Sequence, residues 1–395
     1  MHFPTYLLVS QLVSALVINQ RDSRNRAAYF LDDNPNGSSI VSLKINPLDG
    51  TLSDPIRTYT GGEGLQGLFM SATPGVPATP GATDPLFSQD AVLVSQDYLF
   101  TVNTGSNTVS MFFIDKNAPW SPRLINTASS VGEFPMSIAY SPKLKTTCVL
   151  NGGAKAGVAC FSTDHAKGLT PLGSFLPIAL GQTTPPVGPP GTTSDIVFNP
   201  SETALFVTIK GDPPSPGFIY VYPVTSSGTI SSAPKISNPS ELVVDFSISF
   251  LGSDSRAVIT DASYGAAIVD VADDWSVTVE KKIVVAGQGA SCWGAYSQRF
   301  NTIFIMDAGH SNITLVDPES GDIKGFAVQN AAGMGSLDTA QDQTYLYTLK
   351  GSPSISVSDL SGLTHGAAPK EIQSLDLSAL GERATWTGMA IYPSS

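Results

Sequence analysis

Seven polar or near-polar strand ends carry most of the chemistry this sequence can offer: Asp32, Asn103, Asn151, Ile209 with Lys210, Asp261, Asp307 and Lys350. Each closes a short apolar run, such as Ala28–Asp32, Leu99–Asn103, Leu205–Ile209 or Ile303–Asp307, and each is followed by a turn. Carboxylates accept hydrogen bonds, ammonium groups donate them and amides do both, so a ring of these groups around one opening can hold a small polar ligand. The alternative is that each Asp or Asn caps its own turn. Carboxylates with Asn would suit Ca²⁺ or Mg²⁺, yet Lys210 and Lys350 supply positive charge without a metal, so none is expected, and no cofactor either. His310, just past Asp307, is the candidate general base, with Asp261 and Asp307 as further proton carriers. Arg383 can clamp a carboxylate with two parallel hydrogen bonds. Trp293, Trp386 and Tyr264 are placed to line an apolar pocket.

What positions these groups is a repeated unit. The runs recur at about 40 to 70 residues, the spacing of propeller blades. After most comes a turn and a β-branched or aromatic strand, such as Ser39–Leu43, Thr108–Phe113 and Phe218–Tyr222. Before several stands a third run, as in Ser137–Tyr140, Asp195–Phe198 and Phe246–Phe250. Strand, turn, strand, turn, strand is one blade. The tail Trp386–Pro393 has an inner-strand pattern without a following partner, while the first unit, near Ala27, lacks an inner strand. Pairing the two closes a ring and removes both exposed edges. The expected fold is therefore all-β, a seven-bladed β-propeller closed by its C-terminal strand; a pair of β-sandwiches would leave both unpartnered ends unexplained.

Composition narrows the functions. The chain has 395 residues, 42% of them hydrophobic, with 36 Gly and 29 Pro and a net charge of −12. That balance disfavours a grip on nucleic acid or anionic lipid. Residues 1–20, with the apolar run Leu7–Ile18, read as a secretory signal too short to span a bilayer, and residues 21–395 as one domain. No later segment is long enough for a membrane span. Secretion suits the sequons at Asn36 and Asn312 as glycosylation sites, and a disulfide between Cys148 and Cys160 on the paired strands of one hairpin. Cys292 is then a buried free thiol. The Pro-, Gly- and Thr-rich stretches Ser71–Leu86, Thr183–Thr193 and Gly211–Gly217 break the repeat and read as loops beside the channel, either inert or forming a rim wall or lid.

Several motifs resemble those of a known group. Ala28–Leu31, Ile45–Leu52, Gly61–Gly64 and Asp195–Val207 look like the lactonase-type seven-bladed propellers, which include fungal 3-carboxy-cis,cis-muconate lactonizing enzymes and bacterial 6-phosphogluconolactonases. The leader and Thr208–Pro214 are most similar to the secreted fungal cyclase-like branch. The resemblance implies a His at the start of an inner strand and a Glu where the next strand meets the mouth, with arginines that bind carboxylate or phosphate. Here Gly191–Asp195 holds no His, and Thr208-Ile209-Lys210 ends in a lysine. Two readings follow. One is a secreted, monomeric, non-catalytic propeller binding a small carboxylated ligand or a cell-surface or matrix partner at the channel mouth. The other is a lactonase or cycloisomerase in which Lys210, Lys350 and Arg383 neutralise the substrate and Asp261, Asp307 or His310 moves the proton. The missing His and Glu favour the first.

Overall fold

A computed structural model describes residues 25–81, 83–342 and 344–394. The leader read at residues 1–20 lies outside the described residues. Among those described, the chain forms seven four-stranded sheets and one small three-stranded sheet. The innermost strands of the seven are Trp386–Tyr392, Val92–Ser95, Pro135–Ser141, Thr193–Phe198, Asp245–Ser253, Ser291–Ser297 and Ser336–Gln341. They pack side by side in that order, and the last returns to the first. This is a closed seven-bladed propeller, and the blades are numbered below in the same order.

Blade 1 is a composite. Its sheet runs Leu52–Tyr59, Ser39–Ile45, Arg26–Asp32, Trp386–Tyr392, with Ala27 opposite Tyr392 and Asp32 opposite Trp386. The C-terminal strand thus covers the edge that Arg26–Asp32 would otherwise expose.

The apolar runs visible in the sequence are the second strands of the blades. Each is covered on both faces by neighbouring blades, so Thr146–Asn151, Ala204–Ile209, Thr302–Asp307 and Tyr345–Lys350 are buried at every position. A strand covered on both faces needs an unbroken apolar run rather than alternation. Outer strands such as Lys370–Asp376 alternate between exposed and partly covered residues. The core is accordingly divided into wedges between blades: Phe30, Val41 and Trp386 of blade 1 pack with Tyr347, Leu349 and Val357 of blade 7.

The three-stranded sheet corrects one expectation. The Pro- and Gly-rich stretches are not loops throughout: Leu68–Phe69 pairs with Thr79–Pro80 and, in parallel, with Val187–Gly188. Two insertions separated by more than 100 residues in the chain build one structure, because Leu68 N–H and Met70 N–H donate to Pro186 O and Gly188 O at 2.8 and 2.7 Å. In blade 3, Cys148 and Cys160 face each other across the hairpin and are joined as a disulfide, with Cα atoms 4.0 Å apart. Cys292 is free and buried.

Gly388 lies in the closing strand at φ 72°, and a Cβ there would stand 2.8 Å from a methyl of Val92. Gly388→Ala should lower the unfolding free energy by about 1–3 kcal/mol in urea melts; unchanged stability would mean that the closing strand is not held in this register. The Cys148→Ala/Cys160→Ala double variant should lose about 2–3 kcal/mol through the larger conformational freedom of its unfolded chain. Identical melts with and without reductant for the wild type would contradict the bond.

Candidate functional site

The seven strand ends do converge on one face, but every one is buried there. Asn103 Oδ1 accepts from Thr60 Oγ1 at 2.6 Å while its Nδ2 donates to Ser110 Oγ at 2.9 Å. Asn151 Nδ2 donates to the carbonyls of Ser130 and Gly157. Asp261 accepts from the Val243 and Val244 N–H groups at 2.6 and 3.1 Å, and Asp307 from those of Gly289, Ala290 and Gly309 at 2.8–2.9 Å. Asp32 is bonded to Arg57 and Thr385, and Lys350 Nζ donates to Gln329 Oε1 and Ser336 Oγ, both at 2.9 Å. Each end ties its own blade to the loop arriving from the blade before, so these side chains are structural caps and the expected open ligand ring is absent. Glycines make the joint close. A Cβ on Gly62 would sit 2.5 Å from Asn103 Cγ, and one on Gly132 2.4 Å from Asn151 Cγ.

Lys210 does something different. Its Nζ donates to Phe87 O at 2.6 Å, Thr193 O at 2.8 Å and Thr192 Oγ1 at 3.2 Å, and stands 4.7 Å from the Phe246 ring centre. Phe87 belongs to the segment 84–90, which leaves the small sheet and enters the channel. Leu86, Phe87 and Ser88 are fully buried. Trp293 Nε1 of blade 6 donates to Ser88 O at 3.1 Å, Ser88 Oγ to Met136 O of blade 3 at 2.7 Å, and Gln89 Oε1 accepts from Gly294 N–H at 3.2 Å. The segment therefore spans the channel and plugs it at the strand-end mouth. Phe87 and Asp90, at φ 57° and 59°, form the tight bends that let it do so.

On the plug and the inner strands beside it is a set of buried acidic groups that the sequence reading did not single out: Asp84 and Asp90 on the segment itself, Asp195 and Asp338 on inner strands. Asp195 binds three blades together, accepting from Ser137 Oγ at 3.2 Å, Ile196 N–H at 2.8 Å and Ile248 N–H at 3.0 Å. Burial pushes Asp195 up to about 6 despite these bonds, and Asp338 up to about 7. Asp90 is pushed well up by burial, then by the charges of Asp195 and Asp338. Burial also raises Asp84, to about 6, against the pull of Lys210 and Arg383, and lowers Lys210 to about 8. A signal was present in the repeat. Ser137, Asp195, Ser247, Trp293 and Asp338 all occupy the third residue of their inner strands, and most of those strands shift register there. Such a bulge re-aims a side chain.

The other candidates are dispersed. His310 is half exposed, its Nδ1 3.0 Å from Asp307 Oδ2. Burial raises Asp307, but the N–H groups of Ala290 and Gly289, the His310 ring and the Gly309 N–H outweigh it and hold the carboxyl below its ordinary range. Tyr264 is buried in its turn with Lys282 Nζ 3.9 Å from the ring centre. Trp386 packs on Phe30 at 5.1 Å and Trp293 on Phe246 at 4.9 Å. Arg383 is buried and donates to Lys350 O at 2.5 Å and Trp386 O at 2.7 Å.

An open cavity of about 410 Å³ does exist, on the opposite side of the plug. Its walls are the later halves of inner strands, with Val94, Phe198, Phe250, Tyr296, Gln341 and Ile391 among them, and Gln89 and Asp90 lie at the plug end. Ring residues pair with inner-strand starts, Asp261 with Asp245 and Lys350 with Ser336, whereas Phe198 pairs with Leu205 at the far end of its hairpin. The cavity thus opens on the face away from the ring. No Lys, Arg or His among the described residues lines it. Among the described residues, no three His, Cys, Asp or Glu side chains are grouped as metal ligands, and no helix is long and apolar enough to cross a membrane.

No protein-family model and no curated protein matches the sequence. Solved structures do match. The periplasmic gluconolactonase of Pseudomonas aeruginosa superposes with a TM-score of 0.65 at 15% identity, over 93% of this chain and 99% of that one. A 6-phosphogluconolactonase-like protein of Bacteroides fragilis gives 0.61 at 13% identity, over 94% and 99%. One from Bacteroides uniformis gives 0.62 at 15%, over 93% and 99%. Identity this low speaks for the fold alone, a β-propeller like that of these structures.

Proposed function

We propose that this chain is a secreted, non-catalytic member of the lactonase-type propellers that binds a small molecule in its central channel. The observation that carries the reading is the division of the channel. At the strand-end mouth the polar groups are consumed by bonds within the protein and covered by the segment 84–90. At the other mouth an open cavity is framed by apolar side chains such as Val94, Phe250 and Ile391 together with uncharged polar ones such as Gln89, Thr339 and Gln341, and by Asp90. Acid–base catalysis needs a base and a charged clamp around one reacting atom. His310 and Asp307 lie on the capped rim, Lys210 and Arg383 are buried at the plugged end, and among the described residues the open cavity holds neither a base outside Asp90 nor any cation.

The lining also revises the ligand. A carboxylate would meet no positive charge in the cavity, while Asp90 and Gln341 offer hydrogen bonds to a neutral polar group and Val94, Phe250 and Ile391 offer apolar contact. Secretion is supported by the Cys148–Cys160 bond, since disulfides persist in oxidising compartments. The sequons adjoin turns on the plugged face, with Asn36 exposed and Asn312 partly so; glycans there would leave the open mouth free.

The purified protein should not lactonize 3-carboxymuconate or hydrolyse 6-phosphogluconolactone, whereas a library of neutral polar compounds should contain ligands that raise its melting temperature. Ala340→Trp, which places an indole in the cavity, should abolish those shifts. Turnover of either substrate that Lys210→Ala or His310→Ala removes would overturn the reading in favour of the lactonase. Asp90→Asn adds a pH test. A carboxyl raised by folding is protonated more readily in the native state, so its ionisation lowers stability as pH rises through the native value. The variant should therefore melt higher than the wild type at pH 8, with the difference vanishing only below the ordinary Asp range, at about pH 3; a lower melting point at pH 8 would mean that Asp90 is held as a useful anion.

A further inference from the structure

The small three-stranded sheet carries an exposed lobe with no charge on it. Residues 64–83 hold no Asp, Glu, Lys or Arg, and neither do residues 168–194, which supply the third strand, in a chain that is 14% charged. Phe69, Met70 and Val76 are nevertheless exposed there. Surfaces are ordinarily kept in water by charge, whereas the polarity here comes from hydroxyls set among prolines, in Ser71-Ala72-Thr73-Pro74-Gly75-Val76-Pro77-Ala78-Thr79-Pro80. Residues 71–78 pair with no strand. Their turn closes on itself, with Val76 N–H donating to Thr73 O at 3.2 Å and Gly75 at φ 81°, the left-handed conformation that the third place of a type II turn requires.

The hydroxyls of the two insertions divide into two kinds. Thr183 Oγ1 donates to Pro185 O at 2.6 Å, Thr184 Oγ1 to Glu133 and Thr192 Oγ1 to Pro189 O at 2.6 Å, so these are spent within the protein. Thr73 and Thr79 are exposed, each directly before a proline, and among the described residues neither hydroxyl has a hydrogen-bond partner. The lobe also begins beside the turn that carries the Asn36 sequon, since Gly64 N–H donates to Asn34 O at 3.0 Å.

We propose that Thr73 and Thr79 are O-glycosylation sites whose sugars cover this lobe. The proposal rests on the secretory reading above, because exported chains meet the glycosyltransferases. Exposed, uncharged hydroxyl and proline sequence is the composition that such segments share. In the transfer, threonine Oγ1 bonds to C1 of a sugar, the bond from C1 to the phosphate of its nucleotide or lipid carrier breaks, the carrier leaves as the phosphate, and the hydroxyl proton passes to the transferase. The sugar hydroxyls then provide the solvation that charge provides elsewhere on the surface.

The full chain, secreted from a eukaryotic host behind that host's own export signal, is the material for the test. After enzymatic removal of N-linked glycans its intact mass should exceed that of the polypeptide by a whole number of sugars. Peptide fragmentation that preserves glycosidic bonds should place them on Thr73 and Thr79 and leave Thr183, Thr184 and Thr192 bare. The Thr73→Val/Thr79→Val variant, which keeps the shape of both side chains, should lose the excess mass and keep its melting temperature. A bare 64–83 peptide in exported protein that is glycosylated at Asn36, or sugars found on Thr184 and Thr192 instead, would overturn the proposal. Failure of the secretory reading shows separately, as retention in the cell of a chain that carries only its own residues 1–20.

Discussion

The ammonium of Lys210 holds the channel shut. Burying a lysine costs several kcal/mol unless its protons are used, and here three oxygens take them, one from the plug at Phe87 and two from the entry to blade 4. If the segment 84–90 left, the ammonium would lose Phe87 O and the Asp84 charge together, and Trp293 Nε1 would lose Ser88 O. A loop rich in Pro and Gly is thereby fixed at the axis of a propeller by partners from blades 3, 4 and 6. At this position the resemblance led to the expectation of a glutamate. A lysine reverses the sign of the charge and turns the same strand end from a base into an anchor.

Closing one mouth shapes the rest of the axis. Inner strands converge there, and their bulged third residues bring Asp195 and Asp338 toward Asp90. Like charges at short range in an enclosed space cannot all ionise, so these carboxyls titrate as a group at raised values. Asp195 accepts from blades 3, 4 and 5 and so ties their frames together. The opposite ends of the same strands carry small residues, among them Ala295, Ala340 and Ala390, and these leave the cavity open.

The architecture was legible because its signals are local. Second strands covered on both faces must be apolar throughout, the hairpin turns punctuate them, and an unpartnered strand at each end has one economical solution. Cys148 and Cys160 could be paired from their places in one hairpin. The site was legible only in part. The strand-end ring follows from the repeat, but whether Asn103 or Asp261 faces a ligand or a neighbouring loop depends on glycines such as Gly62, which let that loop come close enough to use the cap. The plug was read only as one of two alternatives for the loop that leads into it, a rim wall or lid beside the channel, and its seat across the axis was not. Its contacts join residues up to 205 positions apart, Ser88 with Trp293 and Gln89 with Gly294, and no periodicity announces a segment that packs against three blades at once.

Cys292 offers the most direct measurement of the closed mouth. It is the sole free thiol, buried at the start of the inner strand of blade 6, within the electrostatic reach of both Asp84 and Lys210. The rate at which a small thiol reagent labels it in the native protein reports how often the segment 84–90 opens. Labelling of the wild type should be slow, and Lys210→Met should speed it by about tenfold or more while the protein stays folded, as loss of one buried charge-assisted anchor of roughly 1.5–3 kcal/mol requires. Labelling of the wild type as fast as that of an exposed cysteine, or a rate unchanged by Lys210→Met, would contradict a mouth held shut by that lysine.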